Sequence, residues 1–159
     1  MTRRKITLER TFAAPLEDVW ELWTSKEGIE SWWGPDGFTV EVLALDLRPG
    51  GAFRYAMKAT APAQVEFMRN AGMPLTNEVR ARFTEVVPRR RLAFTQLADF
   101  VPGVEPYEMT TAVELSPFAQ GVRMLVTLDA MHDEIWTQRA VAGMESQLGR
   151  LAKLIEGRS

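Results

Sequence analysis

The chain contains one histidine, His132, and histidine is the side chain most often used as a general base or a metal ligand near neutral pH. It stands in Met131-His132-Asp133-Glu134, where a predicted strand meets a predicted helix. A lone histidine supplies too few ligands for a histidine-rich zinc site, and the sequence has no Gly-x-Ser-x-Gly nucleophile motif. We therefore interpret His132 as a helix-start residue beside an N-cap, Asp133, and expect no metal and no cofactor.

A carboxylate, Glu85, occupies a position that strand alternation would turn inward. It shares its parity with four apolar residues: Val79, Ala81, Phe83 and Val87. Carboxylates turned into a pocket serve as general acids or bases. The favoured alternative is a strand-end residue near Pro88 that reaches water or an arginine, since carboxylates are rarely buried.

Three arginines form a second candidate group. Arg139 on a predicted helix, with Arg80 and Arg82 on a predicted strand, would anchor an anionic head group. The favoured alternative is a solvated face of mixed charge. The run Arg89-Arg90-Arg91 is interpreted as a polar hairpin turn, because an isolated run is not the basic stripe of a nucleic-acid-binding protein.

Five tryptophans are many for this length, and four of them fall in two short predicted helices. Trp20 and Trp23 are interpreted as core packing between these helices. Trp33 and Trp136 are instead candidates for the wall of a pocket, because indole rings offer large apolar surfaces and one N–H donor.

Aromatic and methionine side chains of inward parity supply the rest of this wall, and methionine adapts to ligands of different shape. A few polar groups in an apolar wall are typical of a small-molecule site. The predicted polar groups are Tyr55, Tyr107 and Gln147. The predicted ligand-binding residues are Trp33, Phe53, Tyr55, Phe83, Phe94, Tyr107, Met109, Met124, Trp136 and Met144.

The pattern of apolar residues predicts an α+β domain over residues 1–159. One strand and two short helices precede about six strands, and apolar residues at three- and four-residue spacing then predict a helix from about Asp133 to Glu156. The resulting six- to seven-stranded antiparallel sheet has one apolar face. Only the last helix is large enough to cover that face.

One stretch, residues 62–74, interrupts the run of strands. Its proline start, glycine stop and helix-forming residues predict a helical insertion. Its apolar side chains include Val65, Phe67 and Met73. We interpret this insertion as a lid over a pocket, or alternatively as a surface for a protein partner.

Composition narrows the class of protein. Of 159 residues, 46% are hydrophobic and 25% charged, which is typical of a globular chain, and the formal net charge is -2. This charge gives no basic field for nucleic acid or an anionic membrane. The absence of cysteine excludes disulfides and thiolate sites. Because no apolar run resembles a signal core or a membrane span, we expect a cytoplasmic protein with no membrane insertion.

Several stretches in order along the chain resemble the START/SRPBCC (Bet-v-type) superfamily, and in particular the group similar to the C-terminal domain of the heat-shock-protein-90 ATPase activator. These stretches are Arg10-Thr11-Phe12-Ala13-Ala14-Pro15 with Val19-Trp20, Trp32-Trp33-Gly34-Pro35, Asp46-Leu47-Arg48-Pro49-Gly50-Gly51-Ala52-Phe53, Glu85-Val86-Val87-Pro88 with Arg91-Leu92, and Gly143 with Leu148 and Leu151. The chain departs from the family at Met144, where tryptophan is frequent, and in the long 62–74 segment.

The resemblance implies a helix-grip fold, in which a curved sheet holds the C-terminal helix around a cavity. It favours binding of a small apolar or amphipathic molecule. A chaperone-associated module and a cyclase- or hydrolase-type enzyme using Glu85, Tyr107 or His132 are the alternatives, with catalysis the less favoured. Association of two copies of the chain stays open.

Overall fold

The computed structural model describes residues 4–99, 101 and 103–157. Its elements follow the predicted order, with a third short helix in the predicted 62–74 segment. In chain order they are β1 (Lys5–Phe12), α1 (Leu16–Thr24), α2 (Lys26–Trp32), β2 (Phe38–Leu45), β3 (Ala52–Ala59), α3 (Pro62–Asn70), β4 (Thr76–Val87), β5 (Arg91–Ala98), β6 (Tyr107–Phe118), β7 (Gly121–Asp129) and α4 (Glu134–Gly157).

The seven strands form one curved antiparallel sheet in the order β1-β7-β6-β5-β4-β3-β2. From β2 to β7 each strand pairs with its chain neighbour, and β1 pairs with β7. The long helix α4 packs on the inner face, where Leu148 and Leu151 share a fully buried core with Val113 and Val126 of the strands. The predicted α+β architecture is therefore confirmed.

The boundaries of α4 follow from its sequence. The backbone N–H of Trp136 donates to Oδ1 of Asp133 over 2.8 Å, so Asp133 is the N-cap that the sequence predicts. Met144, Leu148 and Leu151 recur at three- and four-residue spacing and are buried on one side of the helix. Within residues 4–99, 101 and 103–157, neither α4 nor a shorter helix combines the length and apolar character needed to cross a membrane.

A β-bulge interrupts the regular pairing of β4 with β5. Phe83 lies opposite Phe94, but the next paired residue of β4 is Glu85, which lies opposite Ala93. Thr84 is therefore an extra residue in β4. Because strand side chains alternate between faces, one extra residue exchanges the faces of all residues that follow it.

The bulge moves Glu85 to the outer face of the sheet, whereas Val86 packs against the core. The inward position expected for Glu85 from strict alternation is therefore wrong. Oε2 of Glu85 accepts a hydrogen bond from Nε of Arg91 over 2.7 Å. The favoured alternative, a strand-end carboxylate that reaches an arginine, is thus confirmed, and Glu85 is removed from any site on the inner face.

The loop of residues 33–38, between α2 and β2, is held against the side of α4. Oε1 of Gln147 accepts from the backbone N–H of Gly34 over 3.0 Å. Nη1 of Arg150 donates to the carbonyl oxygens of Gly34 at 2.7 Å and Phe38 at 3.2 Å. Gln147, which the sequence predicts among the polar groups of a pocket wall, uses its amide oxygen to hold this loop in place.

Gly121 begins β7 where the end of β1 passes very close. A Cβ built on Gly121 would lie 1.9 Å from the backbone oxygen of Phe12, and backbone cannot swing aside as a side chain can. We expect Gly121→Ala to lower the free energy of unfolding by about 1–3 kcal/mol in urea denaturation. The control is Gly149→Ala on α4, where a Cβ meets nothing within 4 Å and alanine adds about 0.8–1 kcal/mol of helix propensity. Equal stability of the two variants would contradict this close approach.

Candidate functional site

One side of α4 carries five residues spaced by three or four positions: Trp136, Ala140, Gly143, Gln147 and Arg150. The 33–38 loop covers the C-terminal half of this side through Gln147 and Arg150. In the N-terminal half, Trp136, Ala140 and Gly143 are half-buried. A Cβ built on Gly143 would meet nothing within 4 Å, so there is space beside the middle of α4.

The inner face of the sheet has a matching half-buried row. Ala81, Gln96 and Met109 lie directly opposite one another on β4, β5 and β6, and all three are half-buried. In the neighbouring row of the same face, Phe83 and Phe94 are only 1% and 2% exposed. The tightly filled core therefore ends between these two rows.

We take these two half-buried sets of residues as the candidate walls of one site, which we call the open cleft. Its sheet side is the row Ala81, Gln96 and Met109. Its helix side is Trp136, Ala140 and Gly143. A contact between the start of β6 and the start of α4 brings the two sides together, and four residues proposed from the sequence take part in it.

These four residues form a connected group at one end of the open cleft. The Tyr107 hydroxyl accepts the backbone N–H of His132 over 3.2 Å and lies 2.8 Å from Nδ1 of the same residue. The ring centroids of His132 and Trp136 are 6.0 Å apart. The guanidinium carbon of Arg139 lies 5.0 Å from the centroid of the Trp136 ring, in cation–π geometry.

The hydrogen bonds of this group determine what His132 does. The Tyr107 hydroxyl contacts both the backbone N–H and the imidazole Nδ1 of His132. His132 is therefore held by Tyr107 immediately before the N-cap Asp133. The interpretation of His132 as a helix-start residue is confirmed, and its imidazole orients one wall of the cleft.

Gln96 is a polar residue of the cleft that the sequence pattern alone did not mark. It shares its face with Leu92, Phe94 and Ala98 of β5, which are all buried. Its side-chain amide makes no hydrogen bond to any other residue that the structure describes. In the sequence, Gln96 is a polar side chain among the apolar residues that share its face of β5, and this pattern could have identified it. Two amide hydrogens and one carbonyl oxygen are thus presented to the cleft.

Five of the predicted ligand-binding aromatics form a packed floor next to the cleft: Trp33, Phe53, Tyr55, Phe83 and Phe94. Phe53 stacks on Phe83 with centroids 5.4 Å apart, and its edge-to-face distance to Phe94 is 5.3 Å. Trp33 packs on Phe94 at 6.1 Å and on Tyr55 at 6.3 Å. Where Trp33, Phe53 and Phe94 meet the side chains of α1 and α2, the enclosed space is about 10 Å³, which admits one water molecule at most.

The remaining predicted ligand-binding residues lie on other strands of the sheet or on α4. Tyr107, Met109 and Trp136 border the open cleft. Met124 and Met144 are core residues with exposures of 0% and 7%. The floor and these two methionines therefore support the cleft from below, and the three bordering residues are the ones accessible from it.

Two of the predicted anion-binding arginines lie on the opposite face of the sheet. Nε of Arg80 donates to Glu78 over 2.6 Å, and Nη2 of Arg82 donates to Glu108 over 3.2 Å. Both pairs are exposed on β4 and β6. The expectation that Arg80 and Arg82 join Arg139 around one anion is therefore wrong, and the alternative of a solvated face of mixed charge is confirmed for these two.

Tyr55 is the ionisable group whose pKa the packed floor changes most. Its hydroxyl is enclosed by the aromatic cluster, and this burial raises its pKa to about 12. The Trp33 side chain, as a hydrogen-bond donor, offsets only part of that rise. The neutral phenol is therefore strongly preferred in the folded protein.

This preference predicts a loss of stability at high pH. An unfolded chain releases the Tyr55 proton near pH 10 and the folded chain near pH 12, so the contribution of the neutral phenol is complete below pH 10 and disappears as the pH rises toward 12. We expect the free energy of unfolding from urea denaturation to fall less steeply across this interval in Tyr55→Phe than in the wild type. Phe83→Leu, which removes a ring of the same floor but no ionisable group, is the control and keeps the wild-type slope. An unchanged slope in Tyr55→Phe would contradict the burial effect.

Comparison with known proteins gives the family. The model described as "Activator of Hsp90 ATPase homolog 1-like protein" matches residues 13–156. A crystal structure of a Chromobacterium violaceum protein is 28% identical with a TM-score of 0.78, and 96% of each chain is covered. No curated protein of established function matched the sequence.

Two further crystal structures share the fold alone. A Silicibacter pomeroyi protein is 21% identical with a TM-score of 0.76, covering 98% of this chain and 100% of that chain. A Mycobacterium smegmatis protein is 20% identical with a TM-score of 0.73, covering 98% and 92%. The resemblance inferred from the ordered sequence stretches is confirmed, and the chain belongs to the Activator of Hsp90 ATPase homolog 1-like family.

Proposed function

We propose that the chain binds a small amphipathic molecule in the open cleft. The observation that carries the proposal is the half-buried amide of Gln96, which stands between Ala81 and Met109 and makes no hydrogen bond within the part of the chain that the structure describes. Such an amide keeps its hydrogen-bonding groups for water or for a ligand. A ligand oxygen or nitrogen would give Gln96 a hydrogen-bond partner.

The walls of the cleft suit an apolar body. Met109 is flexible and polarizable, Ala81 leaves room beside it, and Trp136 offers a broad ring surface. Each methylene group that leaves water for such a surface contributes about 0.8 kcal/mol. A hydrogen bond to Gln96 adds a smaller net term of about 0.5–1.5 kcal/mol. In this proposal the apolar contacts supply most of the affinity and Gln96 fixes the orientation.

The packed floor sets the depth of the proposed site. Phe83 and Phe94 are almost completely buried, and only about 10 Å³ is enclosed between the floor and the side chains of α1–α2, so the ligand lies along α4 above these two rings without entering the core. Trp33, Phe53 and Tyr55 act as support for those rings. We propose binding without turnover, because Glu85 is on the outer face and the hydroxyl of Tyr107 is engaged with His132.

Filling the space at Gly143 tests this proposal. We expect Gly143→Trp to reduce the affinity for 1-octanol at least tenfold in isothermal titration calorimetry, because the indole would occupy the cleft. Gly149→Trp is the matched control, since it is also a glycine of α4 whose Cβ meets nothing within 4 Å, but it is exposed. It should bind 1-octanol as the wild type does.

The outcomes separate clearly. Loss of binding in Gly143→Trp alone supports the open cleft as the site. Equal binding by both variants, or no binding by the wild type, would overturn the proposal. Thermal melting checks the fold of each variant, and replacement of a helix glycine should not lower either melting temperature.

A second candidate function is association with a chaperone of the heat-shock-protein-90 type, as the description of the family suggests. The observation that favours it is the apolar surface of the 62–74 segment, where Phe67 is 67% and Met73 44% exposed. Met68 of the same segment is buried and anchors α3. Exposed apolar groups of this kind are typical of interaction surfaces.

This second function predicts an effect of Phe67→Ser. We expect the variant to lose capture of the purified chaperone and stimulation of its ATPase rate, because the most exposed ring of α3 is removed. Phe118→Ser is the control, since Phe118 is also an exposed phenylalanine, at 53%, but lies at the end of β6. Failure of the wild type to bind the chaperone or change its ATPase rate would remove this candidate.

A further inference from the structure

We infer that the ligand of the open cleft carries a carboxylate, and that Arg139 binds it at the end of the cleft formed with Trp136. This inference rests on the proposed function and names the chemical class of its ligand. The apolar body lies against Met109 and Trp136, and the carboxylate lies beyond the ring of Trp136.

The guanidinium of Arg139, an exposed residue of α4, is oriented by its contact with Trp136. It lies 5.0 Å from the centroid of the Trp136 ring, and that ring is packed in turn on His132 at 6.0 Å. The His132 imidazole is bound to Tyr107. The cation is therefore placed by a series of side chains that begins on β6. Such pre-organisation reduces the entropy lost when an anion binds.

Arg139 is also an arginine without a carboxylate partner among the described residues, since the stacking on Trp136 is its interaction there. The two acidic residues that precede it at the start of α4 are already engaged. Asp133 accepts the backbone N–H of Trp136, and Glu134 pairs with Arg4 over 2.8 Å. The N–H groups of the Arg139 guanidinium are left to an external anion.

The charge of this region favours a carboxylate over a phosphate. One guanidinium binds one carboxylate in a bidentate arrangement and balances its single charge. A phosphate monoester carries nearly two charges at neutral pH, and the adjacent Asp133 and Glu134 would repel the excess. Arg80 and Arg82, which would supply further positive charge, are on the outer face and paired.

A pair of probes with the same tail tests the inference. Octanoate and 1-octanol share an eight-carbon chain and differ in the head group. By isothermal titration calorimetry at low ionic strength, we expect Arg139→Gln to weaken octanoate binding about tenfold or more and to leave 1-octanol within twofold. Arg90→Gln is the matched control, because Arg90 is exposed in the β4–β5 turn, away from the cleft. It should change neither affinity.

The failure of this inference differs from the failure of the proposed function. If Gly143→Trp abolishes binding of both probes but Arg139→Gln leaves octanoate unaffected, the carboxylate contact is overturned and the cleft remains. If Arg139→Gln and Arg90→Gln weaken octanoate equally, a general effect of net charge replaces the specific contact and overturns the inference. If the wild type binds neither probe, both proposals fail.

Discussion

The structure depends on a mismatch between the width of a sheet and the width of a helix. Seven strands at the usual spacing span about 29 Å, whereas one helix with its side chains is about 10–12 Å across. α4 therefore covers only part of the inner face. The tryptophan-rich α1–α2 region and the aromatic floor fill a second part. The row Ala81, Gln96 and Met109 is the part that neither covers, so the open cleft follows from this geometry.

Some polar side chains near α4 hold another part of the fold in place, and others do not. Gln147 and Arg150 hold the 33–38 loop, and through it the end of α2, against the helix. Breaking these bonds would leave buried polar groups unpaired, which is costly. Gln96, on the inner face of the sheet, makes no comparable bond to any residue whose structure is described. This difference is why Gln96, and neither of the two helix residues, is assigned to ligand binding.

The aromatic residues have separate roles for a related reason. In the floor, rings meet in stacked and edge-to-face pairs at 5.3–5.4 Å around Phe53, and little space is left between them. At the end of the cleft, Trp136 instead lies between His132 and the cation of Arg139. The Trp136 ring therefore has a polar neighbour, unlike the rings of the floor. The floor supplies rigidity, and Trp136 supplies a surface on which an apolar body and a charged group can both be bound.

The sequence by itself determined the order of the elements, the long C-terminal helix with its cap at Asp133, the α+β class and the family. These depend on the spacing of apolar residues and on local capping, which neighbouring residues decide. The tertiary structure decided the rest. The bulge at Thr84 reversed the face of Glu85, because alternation holds only while pairing is regular. The functions of Gln147, Gln96 and Arg139 depended on which surface each meets across the fold, and residue spacing along one strand or helix carries no information about that surface.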